Sequence, residues 1–168
     1  MTLWEINRIS AGAFTTALGG IFEHSPWVAE KASAARPFAG IAELHDAMMA
    51  VVRAAPDAMQ LALIRAHPEL AGKAAIRGEL TPESTLEQTR AGLNQCSADE
   101  LARLTALNTA YNAKFDFPFI LAVTGYDRAG ILREFARRVQ RDRDQELDEA
   151  LAQIARITRA RLGALLAE

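Results

Sequence analysis

Apolar side chains recur every three or four residues along almost the whole chain, and this spacing limits the possible fold more than any other feature of the sequence. An α-helix has about 3.6 residues per turn, so such a spacing places the apolar side chains on one face of each helix. Runs of alternating or β-branched residues, which are typical of strands, are nearly missing. The pattern predicts an all-α protein of about eight helices.

Capping residues and a proline mark several ends of the predicted helices. Ser97 and Glu100 have the spacing of a capping box, which begins a helix. Pro68 disfavours helical geometry at the residue before it, so one helix is expected to end near His67. Residues 72–78 follow and are predicted to form a loop, because glycines bound them on both sides.

Residues 115–123 depart from the helical pattern. Pro118 interrupts a helix, and Phe115, Phe117 and Phe119 alternate as they would in an extended chain. We predict an irregular, partly buried extended segment here. The simplest role for three aromatic residues is hydrophobic core, but the backbone amides and carbonyls of such a segment can also pair with a planar, polar heterocycle.

The chain has 168 residues, and half of them are hydrophobic. A chain of this length can bury roughly two-thirds of its unfolded surface in one domain. No repeat, linker or low-complexity tract divides the sequence, so residues 1–168 are predicted to form a single domain. Cys96 is the one cysteine, which excludes an internal disulfide and fits a reducing compartment.

The charge pattern limits the classes of partner. With 19 basic and 21 acidic side chains, the protein lacks the strong positive field that sequence-independent nucleic-acid binding requires. Charged residues interrupt every candidate run before it reaches the roughly 18 apolar residues of a transmembrane helix. Glu5 and Arg8 likewise interrupt the N-terminal residues, which therefore do not resemble a secretory signal. We predict a cytoplasmic protein with neither nucleic-acid nor membrane partners.

His67 is the first candidate for chemistry. The C-terminal end of a helix carries partial negative charge, which favours the protonated imidazolium, and an imidazolium is a general acid. Alternatively, His67 simply hydrogen-bonds the last carbonyls of its helix. His24 stands before Ser25 and Pro26 in nearly the same setting, so position alone does not decide between the two roles.

Ser84 and Glu87 also allow two interpretations. Their spacing is that of a capping box, in which both side chains serve only to begin a helix. However, Thr81 precedes Pro82, and a proline suits the first turn of a helix. If Thr81 is the cap, Ser84 and Glu87 lie inside the helix. Their side chains, together with that of Gln88, can then have a functional role.

Arg161 interrupts an apolar helix face. Arginine is rarely buried without a partner, so Arg161 is expected to meet a carboxylate of the protein or of a ligand, unless its guanidinium lies in solvent at the rim. Lys73, Arg77, Arg137 and Arg138 are interpreted as solvated surface charges. The face in question is formed by Leu147, Leu151, Ile154, Thr158, Arg161 and Leu165.

Several common catalytic motifs are not found in the sequence. It contains no H-E-x-x-H, no C-x-x-C, no glycine-rich phosphate loop and no G-x-S-x-G. Neither a metal nor a cofactor is therefore predicted.

A series of short motifs occurs in order along nearly the whole chain. The motifs are His67-Pro68-Glu69-Leu70-Ala71-Gly72-Lys73-Ala74-Ala75, Leu80-Thr81, Glu83-Ser84, Glu87-Gln88, Ala91-Gly92-Leu93, Leu107-Asn108, Ala110-Tyr111, Lys114-Phe115, Phe117-Pro118-Phe119-Ile120, Ile131-Leu132, Glu146, Ala150-Leu151 and Arg161-Leu162. Each motif is short, but their order and close spacing make a chance match improbable. Together they resemble the family of 2-oxo-4-hydroxy-4-carboxy-5-ureidoimidazoline (OHCU) decarboxylases.

The resemblance implies an all-α enzyme, often a homodimer, that decarboxylates OHCU to (S)-allantoin in urate degradation without a cofactor. It implies that His67 and Glu87 are catalytic, with His67 as the proton donor. The residues that it implies for substrate binding are Pro68, Ser84, Thr85, Leu86, Glu87, Gln88, Phe119, Ile120, Leu121, Ala122, Val123 and Arg161.

Two positions depart from the family's pattern. Asp116 stands where a glycine usually precedes Phe-Pro-Phe, which could change the bend of the extended segment. Thr124 stands before Gly125 where a lysine or arginine is expected, which removes a positive charge near the implied substrate loop. Neither departure removes an implied catalytic group.

Two other functions fit the residues alone. The aromatic cluster and the face of Arg161 would also suit a helical module that docks on a protein partner. Within the enzymes, the residues would also suit a decarboxylase or hydrolase that acts on a related ureido compound.

Overall fold

The computed structural model describes residues 1–167, and its fold is all-α, as predicted. Eight of its ten α-helices have six or more residues, in agreement with the predicted number, and the other two have four and five. An isolated bridge between Thr2 and Ala167 is the one strand-like pairing in this part of the chain. The helices are α1 (Leu3–Ile6), α2 (Ala11–Leu18), α3 (Trp27–Ala32), α4 (Ile41–Ala54), α5 (Asp57–Ala66), α6 (Lys73–Arg77), α7 (Pro82–Arg90), α8 (Ala98–Phe115), α9 (Arg128–Arg138) and α10 (Arg143–Leu165).

The helices group into two compact units. The terminal unit combines residues 1–66 with the residues from 155 onward, and the central unit is formed by residues 67–154. The terminal unit buries aliphatic and aromatic side chains of its helices, among them Ile6, Phe14, Leu18, Val28, Leu44, Met48 and Leu162. The central unit is built around a buried aromatic cluster, Tyr111, Phe115, Phe117, Phe119 and Phe135.

The starts of α7 and α8 follow from their capping residues. Thr81 caps α7, since its hydroxyl accepts a hydrogen bond from the amide of Ser84 at 3.3 Å. The interpretation of Ser84 as the cap is therefore wrong, and Ser84 lies inside the helix. Ser97 and Glu100 form the predicted capping box at the start of α8, because each side chain accepts a hydrogen bond from the other's amide.

Two local predictions need correction. Residues 72–78 are not entirely loop, because they contain the short helix α6, which ends at Gly78 in a left-handed conformation with φ of 70°. The extended segment does not begin at Phe115, which is the last residue of α8. Asp116 ends that helix with φ of 63° and ψ of 27°, and residues 117–123 after it belong to no helix and no strand. These residues, 117–123, are called the extended segment below.

Within residues 1–167, no single helix has both the length and the apolar composition to cross a membrane. Helices α4 and α5 reach that composition only as a pair, and they are bent by 119° at the break between them.

Candidate active site

The loop that follows His67 is fixed by side chains of α8. His67 comes directly after α5, and only 6% of its surface is exposed. Asn108 donates a hydrogen bond from Nδ2 to the carbonyl of Leu70 at 3.0 Å, and Asn112 donates one from Nδ2 to Oε1 of Glu69 at 2.7 Å. The two asparagines stand one helical turn apart, so a single face of α8 holds the loop.

Gln88 of α7 fastens the same loop from another side. Its Oε1 accepts a hydrogen bond from the amide of Ala71 at 2.9 Å, and its Nε2 donates one to the carbonyl of Glu69 at 3.2 Å. Ala71 has φ of 49°, a left-handed conformation that is unfavourable for a residue with a Cβ atom. The paired contacts of Gln88 stabilise this strained turn, so α7 and the loop after His67 form one structural unit.

The predicted site residues of α7 differ in burial. Ser84 and Gln88 are buried and Glu87 is half-buried, whereas Thr85 and Leu86 are exposed. The spacing of three and four residues places Ser84, Glu87 and Gln88 on one side of the helix. Leu86 is 49% exposed, and its side chain lies outside this group.

A cavity of about 320 Å³ adjoins α7. Of the predicted residues, Thr85 and Gln88 line it, together with the part-buried Cys96. Its remaining walls come from the loop after His67, from α6 and the residues that follow it, from α7, from the turn before α8 and from the start of α8, namely Ala71, Ala75, Ile76, Gly78, Leu80, Thr89, Leu93, Asn94 and Leu101.

The extended segment is buried, and two side chains hold its backbone. Arg138 of α9 donates a hydrogen bond from Nη1 to the carbonyl of Ile120 at 2.7 Å. Gln153 of α10 accepts one at Oε1 from the amide of Ala122 at 3.0 Å. Ala122 is half-buried, whereas the four other residues predicted for substrate binding here are buried, namely Phe119, Ile120, Leu121 and Val123.

Arg138 is not the surface charge that the sequence suggested. It is fully buried, and its Nη2 lies 2.9 Å from Oε2 of Glu146, which is fully buried as well. The neighbouring Arg137 is exposed and pairs with Glu134 at 2.7 Å, as expected of a surface residue. Two adjacent arginines on a helix point about 100° apart, so one can face solvent while the other enters the core.

Tyr111 completes the buried polar group around Glu146. Its hydroxyl donates a short hydrogen bond to Oε2 of Glu146. Burial raises the pKa of the Tyr111 hydroxyl, and its hydrogen bond to the Glu146 carboxylate raises that pKa further. Tyr111 therefore stays protonated and acts as a permanent hydrogen-bond donor.

Arg161 belongs to the terminal unit, unlike the other predicted site residues. It is 7% exposed, so the rim position in solvent is excluded. Its Nη1 lies 2.9 Å from Oε2 of Glu23 and 3.3 Å from the carbonyl oxygen of Ile21. The sequence allowed a carboxylate of the protein or of a ligand as the partner of Arg161. In the structure, a carboxylate of the protein, Glu23, is a partner.

Several residues that shape this region have no functional role predicted from the sequence. Asn108 and Glu146 belong to the quoted motifs, but Asn112, Arg138 and Gln153 drew no functional prediction. A signal was available in α10, where Glu146, Glu149 and Gln153 repeat at intervals of three and four residues and thus share one helix side. Residues 1–167 contain no group of three or more His, Cys, Asp or Glu side chains arranged to hold a metal ion.

Comparison with known proteins identifies the family. The family model described as OHCU decarboxylase matches residues 7–163. The 2-oxo-4-hydroxy-4-carboxy-5-ureidoimidazoline decarboxylase of Mus musculus is 39% identical over 166 residues, which cover 99% of this chain and 93% of that protein.

Two solved structures share the architecture. A crystal structure of (S)-allantoin synthase aligns with a TM-score of 0.79 and 29% identity over 99% of this chain, which spans 54% of that longer chain. A crystal structure of OHCU decarboxylase in the presence of (S)-allantoin aligns with a TM-score of 0.67 over 91% of this chain and 96% of that one, and at 21% identity it supports the fold alone. By the extent of the family match and the identity to its relatives, this chain belongs to the OHCU decarboxylase family.

Proposed function

We propose that this protein decarboxylates OHCU to (S)-allantoin in urate degradation, with His67 as the proton donor. The observation that carries the proposal is the family match over residues 7–163, because that range includes every residue predicted for the site. Relatives that align with this chain over most of their own length are named for this reaction. The burial of His67 and its link to α7 through the anchored loop give the proposal a structural basis.

The reaction requires the protein to orient the substrate and to donate one proton. OHCU carries a carboxylate on a carbon next to ring imine or amide functions. When the bond to the carboxylate breaks, carbon dioxide leaves and the electron pair stays on that carbon, where the ring functions delocalise it. His67, as imidazolium, then transfers its proton to the carbon and becomes neutral imidazole. Transfer from one face gives a single enantiomer of allantoin.

The remaining predicted residues are assigned to substrate orientation. Glu87 and Ser84 hydrogen-bond the ring or its hydroxyl group, and Pro68, which follows His67 in the chain, contacts the substrate. Within the extended segment, the Ile120 carbonyl and the Ala122 amide are already bonded to side chains. The Val123 carbonyl likewise accepts a hydrogen bond from the Tyr126 amide at 3.0 Å. The backbone groups proposed to hold the planar edge of the ring are therefore chiefly the amide and carbonyl of Leu121 and the amide of Val123.

Arg161 is proposed to bind an anionic group of the substrate while it remains paired with Glu23. A guanidinium has five N–H donors, so one carboxylate does not exhaust its hydrogen-bonding capacity.

The family match runs through both compact units, which supports the proposal of one OHCU decarboxylase domain for residues 1–168. A homodimer and a cytoplasmic location stay predictions, and light scattering of the purified protein tests the first.

The experiment that tests the proposal is chiral chromatography of the product after freshly generated OHCU is mixed with the purified protein. Formation of (S)-allantoin faster than the spontaneous background is expected. His67→Asn should fold normally and lose stereoselective turnover, because asparagine cannot donate a proton to carbon. His24→Asn is the matched control, since His24 is exposed and should leave turnover unchanged. Racemic product at the background rate from the unaltered protein would refute the proposal, and faster turnover of a related ureido compound would reassign the substrate.

A further inference from the structure

The extended segment has no regular hydrogen-bonding partner strand, so its shape depends on side chains that reach it. Residues 117–123 lie between α8 and α9 in the sequence and belong to no helix. An extended chain keeps a defined position inside a protein only when its backbone groups find partners. The side chains that provide two of these partners come from α9 and α10.

Arg138 fixes the first of these backbone groups. Its guanidinium donates to the Ile120 carbonyl at 2.7 Å and lies over the ring of Phe119 at 4.4 Å. Phe119 in turn stacks on Phe135 with ring centroids 3.8 Å apart and planes 9° from parallel. The same guanidinium thus determines the position of one backbone carbonyl and of the side chain beside it.

Glu146 holds Arg138 in that orientation. Its Oε2 accepts hydrogen bonds from Arg138 Nε at 2.9 Å and from the Tyr111 hydroxyl, and its Oε1 lies 3.1 Å from Nη1 of Arg141. A buried carboxylate bound by several donors has little freedom to move. Arg138 therefore has one stable arrangement, in which it reaches Ile120.

Gln153 fixes the second backbone group, the amide of Ala122. Its own orientation is set by Glu149, whose Oε1 accepts from Gln153 Nε2 at 2.7 Å. Arg141 connects the two anchors, since its Nη1 lies within 3.1 Å of Glu146 and 3.4 Å of Glu149. One network of side chains thus joins both contacts to the extended segment.

We propose that Arg138 and Gln153 are positioning residues for the decarboxylation: through the Ile120 carbonyl and the Ala122 amide they hold the extended segment in the geometry that binds the substrate. This inference rests on the proposed function. Neither residue needs to touch the substrate. Loss of either contact lets residues 120–122 shift, which weakens binding without altering the proton donor.

Gln153 is the better residue for the test. Arg138 variants would leave the buried Glu146 without its principal partner, and such variants often fail to fold. Gln153→Met keeps the size of the side chain and removes the acceptor for Ala122. The double variant Glu149→Gln with Gln153→Glu exchanges the two groups. The Ala122 amide then has an acceptor again, now a carboxylate oxygen at position 153 in place of the amide oxygen, and the side-chain amide at position 149 donates to that carboxylate.

Steady-state kinetics and hydrogen exchange of the extended segment are the readouts. Gln153→Met is expected to raise KM about tenfold, because it removes one hydrogen bond that holds the extended segment in the geometry that binds the substrate. The effect on kcat should be smaller. Exchange of the Ala122 amide should become faster in the same variant, and the exchanged double variant should restore both values towards those of the unaltered protein.

The control distinguishes positioning from general destabilisation. Asn7→Leu removes two side-chain hydrogen bonds to the backbone of Phe38 in the terminal unit, and it should lower stability while KM stays unchanged. The inference is overturned if Gln153→Met keeps the original KM, or if the double variant does not improve on the single one. An unaltered protein that does not accelerate (S)-allantoin formation would instead refute the proposed function, on which the inference rests.

Discussion

Arg161 and Glu23 form a buried ion pair in the terminal unit, with Nη1 and Oε2 separated by 2.9 Å and with both side chains almost fully enclosed. Removal of one partner from a buried ion pair typically costs about 3–5 kcal/mol. Arg161→Met is therefore expected to lower the free energy of unfolding by about that amount, as measured by urea denaturation.

Arg159 provides the control for this experiment, because it is exposed on the same helix. Arg159→Met should change the free energy of unfolding by less than about 0.5 kcal/mol. The double variant Arg161→Met with Glu23→Met should recover much of the loss, since it removes both charges together. An Arg161→Met protein as stable as the Arg159→Met protein would contradict the structural importance of the pair.

The paired contacts of Gln88 with Glu69 and Ala71 should matter for stability as well as for activity. Gln88→Leu keeps the volume of the side chain but leaves the Ala71 amide without its acceptor, which is expected to cost about 1–3 kcal/mol. Hydrogen exchange should show faster exchange in residues 69–72. Gln95→Leu, at an exposed position, is the matched control, and equal stability of the two variants would contradict the prediction.

Asp116 adopts a left-handed conformation that suits glycine better than a residue with a Cβ atom. A residue with a Cβ atom is strained at φ of 63°, although aspartate tolerates that conformation better than most. Asp116→Gly should therefore be more stable than Asp116→Ala by about 1 kcal/mol, because both lose the carboxylate and only alanine keeps the strain. Thermal denaturation of the two variants measures the difference, and equal midpoints would show that the turn relaxes at no cost.

The sequence predicted the helices well because their periodicity and caps are local properties. Thr81 and Ser97 mark the starts of α7 and α8, and the apolar spacing within each helix determines the rest. The start of the extended segment was predicted at Phe115, two residues too early, since the alternation of Phe115, Phe117 and Phe119 does not reveal that α8 continues to Phe115 and that Asp116 has a left-handed conformation.

The polar anchors of the site were harder to predict, because they depend on which distant segments meet. Nothing near Arg138 in the sequence shows that its neighbour in space is Glu146 or that its guanidinium reaches Ile120. The interval between Glu146, Glu149 and Gln153 did mark a polar line on α10, beside the apolar stripe through Leu147. Only the fold shows that this line faces the extended segment.

His45 predicts how stability depends on pH. Its Nε2 lies 3.1 Å from Oγ1 of Thr158 inside the terminal unit. Burial lowers the pKa of His45 below the usual 6.5, and the positive charge of Arg159 lowers it further, against a weaker opposing effect of Asp46. Between this lowered pKa and 6.5, the unfolded protein binds more protons than the folded protein, so the free energy of unfolding should fall as the pH drops below about 6.5.

Urea denaturation of His45→Gln at several pH values between 5 and 7.5 tests this linkage, with the unaltered protein and His24→Asn as references. Glutamine can still bond Thr158 but takes up no proton, so the contribution of His45 to the pH dependence should vanish. Arg159→Met should weaken the dependence without abolishing it, because burial, the larger cause, stays in place. If His45→Gln loses stability with falling pH as steeply as the unaltered protein does, the dependence arises from another group and His45 does not destabilise the fold in acid.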